Sequence, residues 1–224
     1  MIRLSEVVAR DIPDAWFQLL FLLLEERPNE YIIQKGSYEG QTRLEFDYIT
    51  VQIKFPYSEP YDTMLPEIPA HFGIPNPVEP GYTEQYLPYI LTPHKEPNEQ
   101  YTYGERMEEA SIHWEQELSN TPMTNQAILQ IGKPSDWRLS DPPCLRHIDI
   151  RVKNNRLNFF VYFRSWDLWG GFPANLAALA IKQKEMADET GFEMGQLIGA
   201  SKGLHLYGYA ENLAKIRCMK NENG

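Results

Sequence analysis

Residues 141–165 carry the clearest strand pattern in the chain, DPPCLRHIDIRVKNNRLNFFVYFRS. Apolar and polar residues alternate over 148–152 and again over 157–163, which predicts two β-strands. Between the two runs stand Asn154 and Asn155, and asparagine tolerates the positive φ that a two-residue hairpin turn requires. The segment therefore predicts a β-hairpin.

The hairpin brings a cysteine close to an arginine. Pairing outward from the two asparagines predicts that Cys144 lies opposite Ser165 and beside Arg164. A guanidinium favours the thiolate, which is the nucleophilic form of cysteine. A single cysteine after two prolines is more often a small buried apolar residue, so the hairpin alone leaves both readings open.

The other periodic segments interleave helices with strands. A helix is predicted to begin at the cap Asp11, with Pro13 as an early proline, and to run to about residue 24. Further helices are predicted at about 84–90, at about 104–118 with Trp114 and Leu118 on one face, and from 172 to about 190, closed by Gly191. Strands are predicted over 43–55, with a bulge near Tyr48, and over about 196–207.

Ten of the 17 prolines lie between Pro56 and Pro97, which predicts an extended surface stretch. It could separate two domains. Neither flank alone has enough periodic apolar segments to close a core, so the pattern favours a single domain, residues 1–224, with 56–100 as a proline-rich excursion.

The composition restricts the classes of partner and compartment. The chain has 21 basic and 31 acidic residues, a formal charge of −10, so neither nucleic acid nor an anionic membrane is expected as the main partner. The longest apolar run, residues 15–24, is too short to span a bilayer and follows no secretion signal, which favours a cytoplasmic location. With Cys144 and Cys218 as the only cysteines, neither a disulfide framework nor a metal site is expected.

Four short motifs then give a resemblance to a known family. In order they are Pro143-Cys144, Arg164-Ser165-Trp166-Asp167, Gly171-Phe172-Pro173-Ala174-Asn175 and His205-Leu206-Tyr207. Their order and spacing resemble the thymidylate synthases and their pyrimidine hydroxymethylase relatives, with 141–207 as the catalytic core segment. Tyr103-Gly104-Glu105-Arg106 is a weaker match, and the short chain is similar to the archaeal-type branch.

The resemblance implies a covalent mechanism. Cys144 would add to C6 of a pyrimidine nucleotide and make C5 nucleophilic towards the methylene of a reduced pterin. Tyr103 would assist removal of the C5 proton. Asp167 would lie near the base and, with Gly171, near the cofactor.

The resemblance also implies a set of substrate contacts. Arg164 and Ser165 would hold the phosphate, Asn175 would read the edge of the base, and His205 with Tyr207 would bind the ribose 3′-hydroxyl. Taken singly, Arg164 is as readily an ion-paired surface residue, Asn175 a helix cap and His205 a structural histidine.

The implied fold is α+β, with a large mixed, mainly antiparallel sheet covered by helices and packed face to face in a homodimer. The apolar stripe Leu157, Phe159, Val161 and Phe163 is the predicted dimer face. The implied substrates are dUMP and a reduced pterin, either 5,10-methylenetetrahydrofolate or a tetrahydromethanopterin-type analogue, without a metal.

The chain departs from the family pattern at several positions. Where the family has two adjacent arginines, it reads Thr124-Asn125-Gln126. Lys35 stands near the place of an N-terminal arginine, Glu84 is the candidate for the catalytic glutamate, and Leu145 replaces the histidine common after the nucleophile.

Three functions are compatible with these residues. A thymidylate synthase is favoured. A pyrimidine hydroxymethylase, in which water captures the methylene intermediate, shares every residue named above, and the short segment after Tyr207 leaves closure against water open. A non-catalytic nucleotide-binding relative is disfavoured because Cys144 and Arg164 are both present.

Overall fold

The computed structural model describes residues 1–35, 38–97 and 99–220, with all side chains of these residues except those of 109–113 and 115. The strands are β1 (Leu4–Ala9), β2 (Asn29–Ile32), β3 (Thr42–Glu45), β4 (Tyr48–Ile53), β5 (Ile128–Gln130), β6 (Leu145–Lys153), β7 (Arg156–Phe163), β8 (Trp166–Asp167), β9 (Glu193–Ser201) and β10 (Leu204–Tyr207). The helices are α1 (Ile12–Glu26), α2 (Tyr82–Leu91), α3 (Tyr103–Asn120), α4 (Gly171–Thr190) and α5 (Gly208–Arg217).

The strands form two sheets. The larger sheet has the order β1-β4-β9-β7-β6-β5, and the smaller has the order β2-β3-β10-β8. Pairs β1–β4, β7–β9 and β8–β10 are parallel, and the other five pairs are antiparallel. The predicted α+β class with a mixed, mainly antiparallel sheet and covering helices is confirmed, although the strands are divided between two sheets.

Both long predicted strands are broken. Residues 43–55 form β3 and β4, and residues 196–207 form β9 and β10, with each pair divided between the two sheets. The change of phase near Tyr48 therefore marks a crossing from one sheet to the other, and the predicted bulge there is wrong. The Phe46 amide donates to the Leu204 carbonyl at 3.0 Å, so the two crossings lie side by side.

The hairpin forms as predicted, and its turn residues Asn154 and Asn155 both have positive φ, 51° and 60°. The register shifts between Leu145 and His147, where β6 carries Arg146 as one extra residue; the Arg146 carbonyl accepts the amides of Ile131 and Gly132, just after β5. A strand with one extra residue displaces every later pair by one position.

This shift changes the neighbour of the cysteine. Leu145 pairs with Phe163, and the Arg164 amide donates to the Cys144 carbonyl at 2.9 Å. Cys144 therefore lies opposite Arg164, and the predicted position opposite Ser165 is wrong.

The predicted helix ends are confirmed. The Asp11 carboxylate accepts the Asp14 amide at 2.9 Å and caps α1. Gly191, with φ of 75°, ends α4 in the left-handed conformation that favours glycine. Helices α2 and α3 lie where the sequence places them, and Trp114 and Leu118 of α3 are both buried.

The apolar stripe of β7 belongs to the core. Leu157, Phe159, Val161 and Phe163 are at most 3% exposed and share one buried cluster with the inner face of α4. The prediction that this stripe forms a dimer face is therefore wrong. The opposite face of β7 is the open one, where Phe160 is 40% exposed.

The proline-rich excursion packs onto the same core. It contains two short 3₁₀ turns and α2, and its residues Met64, Leu65, Ile68, Val78 and Ile90 join the buried cluster. Within the described residues, no helix is long and apolar enough to cross a membrane.

Candidate active site

The smaller sheet gathers motifs that are far apart in the chain. Strand β10 lies between β3 and β8, pairing Tyr207 with Arg43 on one side and His205 with Asp167 on the other. Residue Ser165 directly precedes β8, and Cys144 directly precedes β6 of the larger sheet. The edge between the two sheets therefore collects most of the predicted site residues.

Arg164 fastens the loop that carries Cys144. Its Nε donates to the Pro143 carbonyl at 3.1 Å, and its Nη2 donates to the Pro142 carbonyl and lies 3.4 Å from the Asp141 carboxylate. About a third of the Arg164 side chain remains exposed, so it can still meet an anion. The guanidinium thus positions the loop as well as supplying charge.

The thiol of Cys144 is half-buried. Burial raises its pKa above the ordinary value, Asp141 raises it further, and the positive charges of Arg164, Arg43 and Arg146 lower it without cancelling the effect of burial. Arg164 therefore favours the thiolate as expected, but the expectation that the pKa of the thiol lies below its ordinary value is wrong, because burial outweighs the arginines.

Tyr103 lies beside the nucleophile. It is the first residue of α3, is 5% exposed, and its hydroxyl accepts the Leu145 amide at 3.3 Å. Burial raises the pKa of Tyr103, so the hydroxyl keeps its proton. The Tyr103 hydroxyl thus lies against the backbone of the residue that follows Cys144.

A row of tyrosines leads from Tyr103 along α2. Tyr82, Tyr86 and Tyr89 share a helix face because they are four and three residues apart. Their rings stack at 6.0 and 5.6 Å between centroids, and Tyr89 meets the Tyr103 ring edge-on at 5.0 Å. Glu84 lies on the exposed face of the same helix.

A cavity lies between this row and the start of α4. It is lined by Pro77, Val78, Glu79, Tyr82, Tyr86, Asp167, Gly170, Gly171, Ala174 and Asn175. Glu84 is absent from this lining, so Glu79 and Asp167 supply the carboxylates that the described residues place there. Asp167 and Gly171, the two predicted cofactor contacts, lie together in its wall.

The Asp167 carboxylate accepts three backbone amides at the start of α4, those of Trp169, Gly170 and Gly171, at 3.2, 3.0 and 2.9 Å. Burial raises the pKa of Asp167, and the three amides oppose this by stabilising the anion. Asp167 therefore holds the helix terminus in place against the cavity.

The Asn175 amide has a defined partner on each side. Its Oδ1 accepts the Trp166 indole N–H at 3.2 Å, and its Nδ2 donates to the Tyr86 hydroxyl at 2.9 Å. Its side chain faces the cavity from the first turns of α4 without making the capping contact that the alternative reading proposed.

Arg43 is the main site residue that the sequence did not reveal. Its Nη2 lies 3.0 Å from Ser165 Oγ and 2.8 Å from His205 Nδ1, and its guanidinium lies 5.9 Å from the centroid of the Tyr207 ring. The Glu45 carboxylate holds its Nε at 3.0 Å. Arg43 thus contacts three of the four predicted phosphate and ribose residues, Ser165, His205 and Tyr207.

His205 is a buried neutral imidazole. Burial first, and then the charge of Arg43, lowers its pKa from 6.5 to about 3. Nδ1 faces Arg43 and the Gly203 carbonyl, whereas Nε2 is buried without a hydrogen-bond partner in the described part of the chain. An unpaired buried ring nitrogen costs stability unless a partner satisfies it, so Nε2 is available for one further hydrogen bond.

The low pKa of His205 predicts a loss of stability in acid. Below about pH 6.5 the unfolded chain binds a proton at this imidazole that the folded chain does not bind until about pH 3, so stability falls across that window. Between about pH 7 and about pH 5, wild type should lose about 2 kcal/mol of unfolding free energy more than His205→Gln. Urea unfolding at both pH values measures this, and equal losses would contradict it.

Comparison with known proteins decides the family. The family model described as "Thymidylate synthase" matches residues 103–222, more than half of the chain. The chain belongs to the thymidylate synthase family. The match begins at Tyr103 and includes Cys144, Arg164, Asn175 and the other residues of the catalytic core segment.

Relatives in this family come from methanogenic archaea. A protein named "Putative thymidylate synthase" from Methanosarcina barkeri is 26% identical over 224 residues, covering 93% of this chain and 94% of that protein. A protein of the same name from Methanococcoides burtonii is 26% identical over 212 residues, covering 90% of this chain and 88% of its own length.

The residues that differ from the thymidylate synthase pattern can be placed in the structure. Thr124 is buried and its hydroxyl donates to Glu117 at 2.6 Å, while Asn125 and Gln126 bring no charge. Lys35 is exposed on the loop before β3. In the same loop Tyr38 packs on the Tyr207 ring at 4.4 Å, a contact that no sequence motif indicated.

Proposed function

We propose that the protein is a thymidylate synthase that converts dUMP to dTMP by reductive methylation. One observation carries this proposal. The half-buried thiol of Cys144 and the residues that would bind phosphate, ribose and base belong to one continuous set of contacts along the edge between the two sheets. A methylene-pterin supplies the one-carbon unit and the hydride when it is bound.

Cys144 acts as the nucleophile in this proposal. Its thiolate adds to C6 of uracil, and the electron pair displaced onto C5 forms the new carbon–carbon bond to the one-carbon unit, whose bond to the pterin nitrogen would break. The C5 proton must then leave and the thiolate must be expelled to restore the ring. Arg164, Arg43 and Arg146 favour the thiolate against the effect of burial, and Tyr103 holds a hydroxyl beside the reacting atoms.

The phosphate and ribose fit the smaller sheet. Arg164 and Arg43 bring two guanidinium groups around Ser165, and guanidinium groups bind phosphate oxygens in pairs of hydrogen bonds. His205 Nε2 and Tyr207 lie next to them, with the unpaired ring nitrogen available to a ribose hydroxyl. Arg43 thus supplies a cation in a chain that lacks the family's arginine pair.

The cavity beside α4 suits a pterin. Its stacked tyrosines offer flat apolar faces to a bicyclic ring, and Glu79 and Asp167 offer carboxylates to ring N–H groups. Asn175 lies in the same wall and would contact the base of the nucleotide. The residues present therefore fit the co-substrate that the family implies.

The test is product identification. The full chain is incubated with dUMP or dCMP and with methylenetetrahydrofolate or its methanopterin-type analogue, and the nucleotide product is identified by mass. dTMP together with an oxidised pterin is the expected result. A hydroxymethyl nucleotide with the pterin released in its tetrahydro form would contradict the synthase and support a hydroxymethylase instead.

We also propose a homodimer through the open face of the larger sheet. Phe160, Tyr162 and Ile198 form an apolar patch there with Tyr48 and Ala200. An apolar sheet face of this kind is typical of a self-complementary interface. Sedimentation at micromolar concentration should give a dimer for wild type and a monomer for Phe160→Asp, and a monomeric wild type would contradict the proposal.

A further inference from the structure

We infer that Trp166 fixes the direction of the Asn175 amide, while Tyr86 holds its other end in place, and that this fixed direction makes the site prefer uracil to cytosine nucleotides. The inference rests on the proposed function, because it assigns Asn175 to the base. Trp166 and Tyr86 are positioning residues, which act on the pyrimidine through Asn175.

The direction of the amide follows from the chemistry of its partners. An indole N–H can only donate, so the atom that lies 3.2 Å from Trp166 Nε1 must be the Asn175 oxygen. The Asn175 nitrogen then faces the Tyr86 hydroxyl at 2.9 Å and donates to it. Rotating the amide by half a turn would set its NH₂ group against the indole N–H, two donors facing each other.

Trp166 is held too firmly to move out of the way. It is 2% exposed, and its ring stacks on Phe163 at 4.1 Å and packs against Phe172 at 4.7 Å between centroids. On the remaining side lies Gly199, where a Cβ would come within 3.2 Å of the indole ring. The closeness of the backbone at Gly199 completes the slot in which the indole is packed.

Tyr86 is fixed from the other direction. Its ring stands between Tyr82 and Tyr89 in the stacked row on α2. Since its hydroxyl accepts from Asn175, the phenolic proton is directed elsewhere. Because a phenol hydroxyl can donate or accept, Tyr86 holds the amide in place, whereas Trp166 sets its direction.

The two contacts leave a defined pattern for the base. An amide oxygen has two lone pairs and an amide nitrogen has two protons, so Asn175 keeps one acceptor and one donor. Uracil offers an N3–H donor beside its O4 acceptor, which matches this pattern. Cytosine offers an N3 acceptor beside a 4-amino donor, which matches only the rotated amide that Trp166 opposes.

Trp166→Phe tests the inference. It keeps an aromatic ring against Phe163 and Phe172 but removes the donor, so the amide can rotate. The measurement is kcat/KM for dUMP and for dCMP, scored by release of tritium from C5. We expect the dUMP-to-dCMP ratio of kcat/KM to fall by about tenfold, because the rotated amide no longer leaves an indole N–H unpaired.

Matched controls separate selectivity from general damage. Trp16→Phe removes another buried indole donor, the one that bonds to the Trp169 carbonyl at 3.0 Å, and should leave the ratio unchanged. Tyr86→Phe removes the partner that holds the amide without setting its direction, and should leave the ratio close to wild type. Tyr89→Phe alters the same tyrosine row without touching Asn175 and should leave the ratio unchanged.

Nucleotide binding, measured without a pterin, tests the preference for uracil independently of turnover. Dissociation constants of dUMP and dCMP should show the same fall in ratio for Trp166→Phe and a wild-type ratio for Tyr86→Phe. If the wild type binds dUMP more tightly but makes no dTMP, the proposed function fails and the inference stands. If folded Trp166→Phe keeps the wild-type ratio in both assays, the inference is overturned.

Discussion

Replacing Cys144 with serine should abolish turnover while leaving dUMP binding close to wild type. An alcohol is hardly ionised at neutral pH, so it is a poor nucleophile towards C6 of the pyrimidine. Loss of a covalent nucleophile removes the chemical step itself, and we expect kcat to fall by at least roughly a thousandfold. Tritium release from C5 of dUMP measures the step directly, and calorimetric titration measures binding.

The second cysteine provides the matched control. Cys218 is buried at the end of α5, and burial raises its pKa to about 11, so its thiol stays protonated and enclosed. Cys218→Ser should release tritium at the wild-type rate. Tritium release by Cys144→Ser at a rate close to wild type would show that this thiol is not the nucleophile.

Asn175→Asp should shift the preference of the enzyme from dUMP towards dCMP. A carboxylate still accepts the Trp166 indole N–H, and the Tyr86 hydroxyl can turn to donate to it, so the side chain keeps its position. Its oxygen accepts the 4-amino group of cytosine but meets O4 of uracil with like polarity. An unpaired buried acceptor costs ~1–3 kcal/mol, or about ten- to a hundredfold in selectivity.

The measurement is kcat/KM for both nucleotides with both proteins. Scoring loss of the C5 hydrogen counts methylation and hydroxymethylation alike. Asn175→Ala serves as the control, because it should weaken both substrates without favouring cytosine. If the ratio of Asn175→Asp equalled that of wild type, the base would be read elsewhere and Asn175 would only support α4.

Local sequence patterns predict the helices and the hairpin because their determinants are close in the chain. The cap at Asp11, the glycine end at Gly191 and the asparagine turn each depend on neighbours within a few residues. No local pattern predicts the bulge at Arg146, whose carbonyl bonds to residues just after β5, a strand distant in the chain. That single residue decides which side chain lies opposite Cys144.

The other features that the sequence does not predict depend on pairing between strands that are distant in the chain. Arg43 reaches the site because β3 pairs with β10, and His205 is 162 residues further along the chain. The apolar stripe on β7 belongs to the core and not to the predicted dimer face. Alternation shows that one face of a strand is apolar, but it does not show which layer covers that face. The pKa of Cys144 likewise depends on burial, which follows from the assembled fold.

Mass analysis of the whole chain with a trapping nucleotide tests the covalent mechanism most directly. The 5-fluoro analogue of dUMP carries fluorine where the C5 proton would leave, and fluorine cannot depart as a cation, so the adduct should persist. With a methylene-pterin present, we predict one nucleotide and one pterin attached per chain, mapped by peptide digestion to Cys144. A chain of unchanged mass, or an adduct mapped to Cys218, would contradict the account.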